Sequence, residues 1–462
     1  MPKIIRRDLL KAAAAQSALL AVMPSWANAK SRVTTYYPTV LGAGGHSGAA
    51  QSYLSNTFCN VGLGRSAMEN PPITDETRAQ QIIRVPGTIS NLSWGLEYHS
   101  GSDEFAALTF SLNRNANPTS LAVSFNGGTS GWNTDSTHSV SVTAGKLLSF
   151  EADVGDGVSN FTGAFYCASA QFVSSDTSDP PIQSAQMLAT VGPTDVKPTT
   201  TQKYGCFLGI LGNSSLDATA NESFEQFKCL TGGLWRNMAC NVDSNDFNHN
   251  TIVANRINAA NGSMSFSISA NTSGYFEDLS DDDSVSAGDL LDYGFIQGNL
   301  SSPTGSDNLT VDWVGAHFLA SSPDECMIGG TPTDPGATTS IQAGNTGYSS
   351  LLGGGNQAYP NTVRATGKLP YRALASQYSN HILSWAGPPG HPGSVTFNLR
   401  DQNGTAVLST TATDSMTGWI TASGTYQFSA GDTCMNEIVV AGTITTYQGL
   451  NWSGAGLLLQ AD

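Results

Sequence analysis

Three aromatic residues stand at one recurring place in this chain. Trp132, Tyr275 and Trp419 each follow a glycine that itself follows Ser or Thr, at spacings of 143 and 144 residues. A flat ring beside a flexible glycine is suited to stack on a sugar face or on an apolar patch of a partner chain, since it offers a large contact area with few torsions to freeze. The same place also suits a ring that anchors its own loop on a hydrophobic core. Trp132, Tyr275 and Trp419 are therefore the candidate ligand-binding residues.

A second chemistry is suggested by Glu277-Asp278-Leu279-Ser280-Asp281-Asp282-Asp283, the densest charge run in the chain. Carboxylates crowded into one loop repel each other unless they are solvated or bridged by a hard cation such as calcium, which takes about six to eight oxygen ligands. Asp278, Asp281, Asp282 and Asp283 form the candidate calcium site, and calcium is the one cofactor the sequence leaves open. Asp243-Ser244-Asn245-Asp246-Phe247-Asn248 also alternates oxygen ligands but lacks the central Gly and distal Glu of an EF-hand.

No catalytic residue is assigned. Gly45-His46-Ser47-Gly48-Ala49 is a near miss of the nucleophile elbow, which needs a strand before it and a helix after it on an α/β sheet; here the flanks are turn-like. The seven histidines show neither HxH nor HExxH spacing, so a catalytic metal site would have to assemble from scattered loops. The seven cysteines include no CxxC pair and do not recur at equivalent positions, which removes a shared disulfide framework as the organising principle. Cys59 to Cys167 is the favoured single bridge, joining an early and a late strand of one sandwich.

The elements that must position these residues are themselves repeated. Ala144-Gly145-Lys146, Ala287-Gly288-Asp289 and Ala430-Gly431-Asp432 form a second landmark with a 143-residue period, the length of a whole small domain. Arg84-Val85-Pro86-Gly87 resembles Arg364-Ala365-Thr366-Gly367, with a weaker middle copy at Cys229-Leu230-Thr231-Gly232. Alternating segments such as Leu108-Thr109-Phe110-Ser111-Leu112, Met264-Ser265-Phe266-Ser267-Ile268 and Val395-Thr396-Phe397-Asn398-Leu399 have the period of strands with one buried face.

The expected fold is all-β: three tandem antiparallel β-sandwich domains of jelly-roll type, at residues 30–173, 182–320 and 337–462. Linkers are expected over Val173–Pro181 and Ser321–Thr338, and a helical turn or irregular loop at Ile73–Ile83 and at Glu222–Cys229. A rod and a closed, pseudo-threefold cluster are both open to such a chain.

Residues 1–29 carry Arg6-Arg7-Asp8-Leu9-Leu10-Lys11, an apolar run from Ala12 to Met23, and Ala27-Asn28-Ala29. This resembles a cleaved bacterial export signal of the twin-arginine type, which implies a periplasmic, cell-surface or extracellular protein. Without that segment the chain holds 16 Lys plus Arg against 35 Asp plus Glu, a formal charge of −19. Nucleic acid and anionic membranes are poor partners for such a surface, and no apolar run is long enough to span a bilayer as a helix.

The function expected is that of an exported non-enzymatic structural or adhesive protein, whose repeated sandwiches self-assemble into a layer, filament or appendage. The alternatives are a carbohydrate-binding protein that uses the repeated aromatics on surface glycans, and a secreted glycan-active hydrolase whose acid pair is not identified.

Overall fold

The computed structural model describes residues 34–44, 51–53, 57–65, 74–100, 108–126, 128–153, 161–196, 202–210, 221–297, 308–330, 341–342, 346–352, 366–385, 393–413, 416–441 and 449–462. The export-signal segment and Gly45–Ala49 lie outside these residues.

Eight principal strands recur three times. The first set is β1 (Pro38–Gly44), β2 (Thr57–Cys59), β3 (Gly87–Ser100), β4 (Leu108–Arg114), β5 (Pro118–Phe125), β6 (Gly131–Val142), β7 (Leu147–Asp153) and β8 (Phe161–Ser174). The second is β9 (Gln186–Val196), β10 (Lys203–Cys206), β11 (Gly233–Asn245), β12 (Thr251–Ile257), β13 (Ala260–Ile268), β14 (Gly274–Val285), β15 (Leu290–Gln297) and β16 (Leu309–Ala320). The third is β17 (Glu325–Gly330), β18 (Thr346–Ser349), β19 (Ala373–Trp385), β20 (Ser394–Arg400), β21 (Ala406–Thr413), β22 (Gly418–Phe428), β23 (Thr433–Ala441) and β24 (Gly449–Ala461).

Each set builds two antiparallel sheets in one order. The first sandwich has β1-β8-β3-β6 over β2-β7-β4-β5, the second β9-β16-β11-β14 over β10-β15-β12-β13, and the third β17-β24-β19-β22 over β18-β23-β20-β21. Two interleaved four-stranded sheets of this kind are the jelly-roll arrangement. The expected alternation is visible in β20, where Val395, Phe397 and Leu399 are buried and the residues between them are partly exposed. One-turn helices occupy matching places in two copies, α1 (Glu76–Ala79) capped by Asp75 and α2 (Glu222–Glu225) capped by Asn221.

Both sequence landmarks are turns that demand a left-handed glycine. Gly131, Gly274 and Gly418 open β6, β14 and β22 with φ of 128°, 104° and 92°, where an L side chain is strained. Gly145, Gly288 and Gly431 precede the seventh strands with φ of 88°, 99° and 87°. Their N–H groups bond to the carbonyls of Ile83, Cys229 and Leu369 at 2.7, 2.8 and 2.8 Å, which fixes these three residues as equivalents.

Two expectations change. The third sandwich begins at Glu325, within the stretch read as a Pro- and Gly-rich linker, because β17 pairs along its whole length with β24, from Glu325 opposite Gln460 to Gly330 opposite Ala455. The resemblance of Arg84–Gly87 to Arg364–Gly367 is also out of register. Gly87 opens β3 opposite Val142, and the residues in that place are Gly233 opposite Val285 and Ala373 opposite Phe428.

Tyr36–Asp462 forms one compact unit. The first strands of the copies meet inside it: Thr39 Oγ1 donates to the Ala185 carbonyl at 2.9 Å, and Met327 N–H donates to Gln186 Oε1 at 3.0 Å. Val40, Leu63, Leu188, Met327 and Ile328 join one continuous apolar core there.

Candidate functional site

The recurring aromatics sit where one sandwich meets the next. The loop just before the third strand of each copy reaches across to the sixth strand of the following copy, and the third copy reaches back to the first. Lys228 Nζ donates to Thr421 Oγ1 at 3.0 Å, and Lys368 Nζ donates to Thr134 Oγ1 at 2.8 Å. Arg84 is paired with Glu277. Thr134, Glu277 and Thr421 are equivalent, each three residues beyond the opening glycine and opposite Ser93, Ala239 and Ser379. Lys228 and Lys368 are also equivalent, opposite Leu290 and Thr433. The first copy has Ile82 in that place, opposite Leu147, and its cation comes from Arg84, two residues on. Three seams of one design close the chain on itself, so the sandwiches form a ring and not a rod.

Each aromatic has its own neighbours at a seam. Trp132 Nε1 donates to Thr366 Oγ1 of the third sandwich at 3.3 Å, and its ring packs against the core that all three sandwiches share. Trp419 meets Phe227 of the second sandwich edge-on, with centroids 5.3 Å apart, and stacks on His381 at 4.9 Å. Tyr275, 37% exposed, lies 5.9 Å from the Trp313 ring, and its hydroxyl is bonded to Arg84 of the first sandwich.

The seam between the first and second sandwiches is the charged one. Arg78, beside the fully buried Asp312 carboxylate, contacts its Oδ1 through Nε at 2.8 Å and Nη2 at 2.7 Å, and reaches Asp243 Oδ2 at 3.4 Å. Asn241 Nδ2 donates both to Asp312 Oδ2 at 3.1 Å and to the Thr77 carbonyl at 3.2 Å. Burial raises Asp312 to about 6 even against the pull of Arg78. Arg84 N–H donates to Nε2 of the buried His317 at 3.2 Å.

The seam between the second and third sandwiches is apolar. Phe227 fills a notch lined by Gly329 and Gly456, where a Cβ added to Gly456 would stand 2.8 Å from the ring. The equivalent of Gly456 at the third seam is Ser169, whose hydroxyl donates to the Lys368 carbonyl at 2.6 Å.

The acidic run is part of β14, not a loop. Asp278 is buried and accepts from the N–H groups of Ser265, Ser280 and Asp281 at 2.9, 2.9 and 3.2 Å. Burial alone would raise its pKa, but these donors hold it below the usual carboxylate range. Asp135 stands at the same place in the first sandwich and accepts from Ala122, Thr137 and His138 N–H groups at 3.2, 3.0 and 3.1 Å. Asp283 accepts from Ser263, Met264 and Asn255, while Asp281 and Asp282 face solvent. Among the described residues no group of three or more acidic, His or Cys side chains is gathered closely enough to hold a metal ion.

Cys59 and Cys167 do not pair; all seven cysteines are buried free thiols. Cys59 belongs to the interior of the first sandwich, whereas Cys167 lies in the core shared with the other two, beside Lys368. Two strands of one sandwich thus carry thiols into different cores.

One further charge cluster escaped the sequence reading. On the second sheet of the second sandwich, Arg256 is paired with Glu222 and lies 3.7 Å from Asp292, a fully buried carboxyl raised to about 9 by burial and by Glu222. Ser149 takes this place in the first copy, so the cluster is not part of the repeat.

No family model and no curated protein matches the chain. Among solved structures, it is similar to the mosquito-larvicidal Cry4Aa toxin from Bacillus thuringiensis at 7% identity and a TM-score of 0.19, over 90% of this chain and 59% of the toxin. A Paenibacillus xanthan lyase gives 12% identity and a TM-score of 0.16, over 80% of this chain and 32% of the lyase. Likeness at this level carries no argument about function.

Proposed function

We propose that this is an exported, non-enzymatic building block, structural or adhesive, in which one chain does the work of a trimer. The carrying observation is that the repeated aromatics are committed to the seams. Position-specific contacts at three equivalent places make a rigid body that presents three versions of the same outer sheet, a form suited to repeated lateral contact. The polar exterior, rich in Ser, Thr, Asn and Gly and strongly acidic overall, suits an extracellular setting.

Light scattering after size exclusion, with electron microscopy of the same sample, tests the proposal. Rings, sheets or filaments are expected on concentration. A monodisperse monomer that is retained on glycan columns would overturn it in favour of carbohydrate binding. Under the building-block reading, replacing Trp132, Tyr275 and Trp419 together by Ala lowers stability; under the glycan reading it removes retention and leaves folding intact. A chelator-sensitive melting temperature would add calcium to the account, since a ligand bound only by the native state stabilises it.

A further inference from the structure

The three seams are equivalent in place but not in their response to protons. His317, on β16, is 2% exposed and lies directly between two guanidinium-bearing residues. Arg84 comes from the first sandwich and gives its N–H to Nε2 at 3.2 Å. Arg236 is the cross-strand partner of His317 on β11. The neighbour on β9 is Met187, which carries no charge. With Nε2 accepting, the ring proton sits on Nδ1, which has no hydrogen-bond partner among the described residues. The remaining charged groups of this seam are Glu277, paired with Arg84, and Asp312 with Arg78 and Asp243.

We propose that the seam between the first and second sandwiches is an acid-sensitive joint with His317 as its sensor: protonation of the imidazole between two arginines opens this seam. A second proton on the ring would turn Nε2 from acceptor to donor, against the Arg84 N–H that now points at it. It would also place a third cation beside Arg84 and Arg236 in a site closed to water, where charges interact strongly. At the seams built on Lys228–Thr421 and Lys368–Thr134 the residue equivalent to His317 is Leu458 in the third copy and Gln171 in the first; the second seam has His381 stacked on Trp419, lowered to about 4 by burial and without the two arginines.

The direction follows from linkage. Burial, then Arg84 and Arg236, hold His317 down near 3, against an ordinary 6.5. The closed seam therefore binds fewer protons than the open one between these values, so closure is fully favoured at neutral pH and weakens as pH falls below 6.5. One proton moves the closed-to-open ratio about tenfold per pH unit in that window. Asp312, raised to about 6, titrates in the opposite sense and favours the folded state as pH falls. The sensor must therefore be isolated by substitution.

Amide hydrogen exchange on the full mature chain at pH 7 and 5.5, corrected for the intrinsic rate, provides the test. His317 alone is expected to lower protection of the Arg84 amide and of β16 about tenfold, with Asp312 offsetting part of that fall in the wild type, while amides around Lys368 hold. His317→Gln keeps an acceptor for Arg84 N–H but cannot titrate, and is expected to leave only the rise in protection that Asp312 gives. A variant with the same pH slope as the wild type overturns the proposal. Should the variant fail to fold, imidazole NMR of the wild type decides. A ring that stays neutral well below pH 6 until the seam opens supports the joint; ordinary titration near 6.5 with no loss of protection contradicts it.

Discussion

The two seams that flank the second sandwich occupy the same place in the repeat and are held by different forces. On one side Arg78, Arg84, Asp312 and Glu277 join the first sandwich to the second; on the other, Phe227 seats between two glycines of the third against Trp419. A symmetric trimer of identical chains must use one interface three times. Covalent linkage frees each interface to diverge, and here one has become electrostatic, one hydrophobic and one a set of hydrogen bonds without an ion pair among the described residues. The charged seam should answer to pH and salt, and the apolar seam to volume.

The largest effect that would separate them is Phe227→Ala. Emptying the notch is expected to cost about 3–5 kcal/mol, read as a lower denaturant midpoint. Next is Arg78→Ala, which strands the fully buried Asp312 carboxyl without its donor and is expected to cost about 2–3 kcal/mol at pH 7. Because Arg78 is what holds Asp312 down to about 6, Asp312 rises further in this variant and is protonated more readily, so the cost should shrink as pH falls toward 6 and stay level below it. A cost that does not vary between about pH 8 and 6 would show that Arg78 acts by packing. Gly456→Ala puts a methyl against the Phe227 ring and is expected to cost about 1–3 kcal/mol; combined with Phe227→Ala it should be nearly harmless, because the methyl then enters space left by the ring. Smallest is the salt response: the partly exposed Arg84–Glu277 pair should lose about 0.5–1 kcal/mol in high salt, seen as faster exchange at the first seam alone.

The architecture was largely legible in the chain because its turns have strict chemical demands. Gly131, Gly274 and Gly418 must be left-handed, so they survive divergence and mark the copies even where nothing else matches. The alternation in β20 exposed the sandwich in the same way. Two features were illegible for a shared reason, the seams. Arg84, Lys228 and Lys368 do the same work from two different places in the repeat, so no column of matched residues reveals them. The repeated aromatics were found by spacing, but their neighbours Thr366, Phe227 and Arg84 belong to other copies. The acidic run read as a loop because nothing in its composition shows that backbone N–H groups from β13 engage Asp278 and Asp283. Cys59 and Cys167 looked paired because strand membership does not reveal which core a side chain enters.

Small-angle X-ray scattering of residues 30–462 tests the central claim, closure of the three sandwiches into one body, most directly. A compact chain of this length has a radius of gyration of about 22 Å, and a value close to it at low concentration is the prediction. Three sandwiches in a row would give roughly 30 Å or more. That value would contradict the ring and with it all three seams.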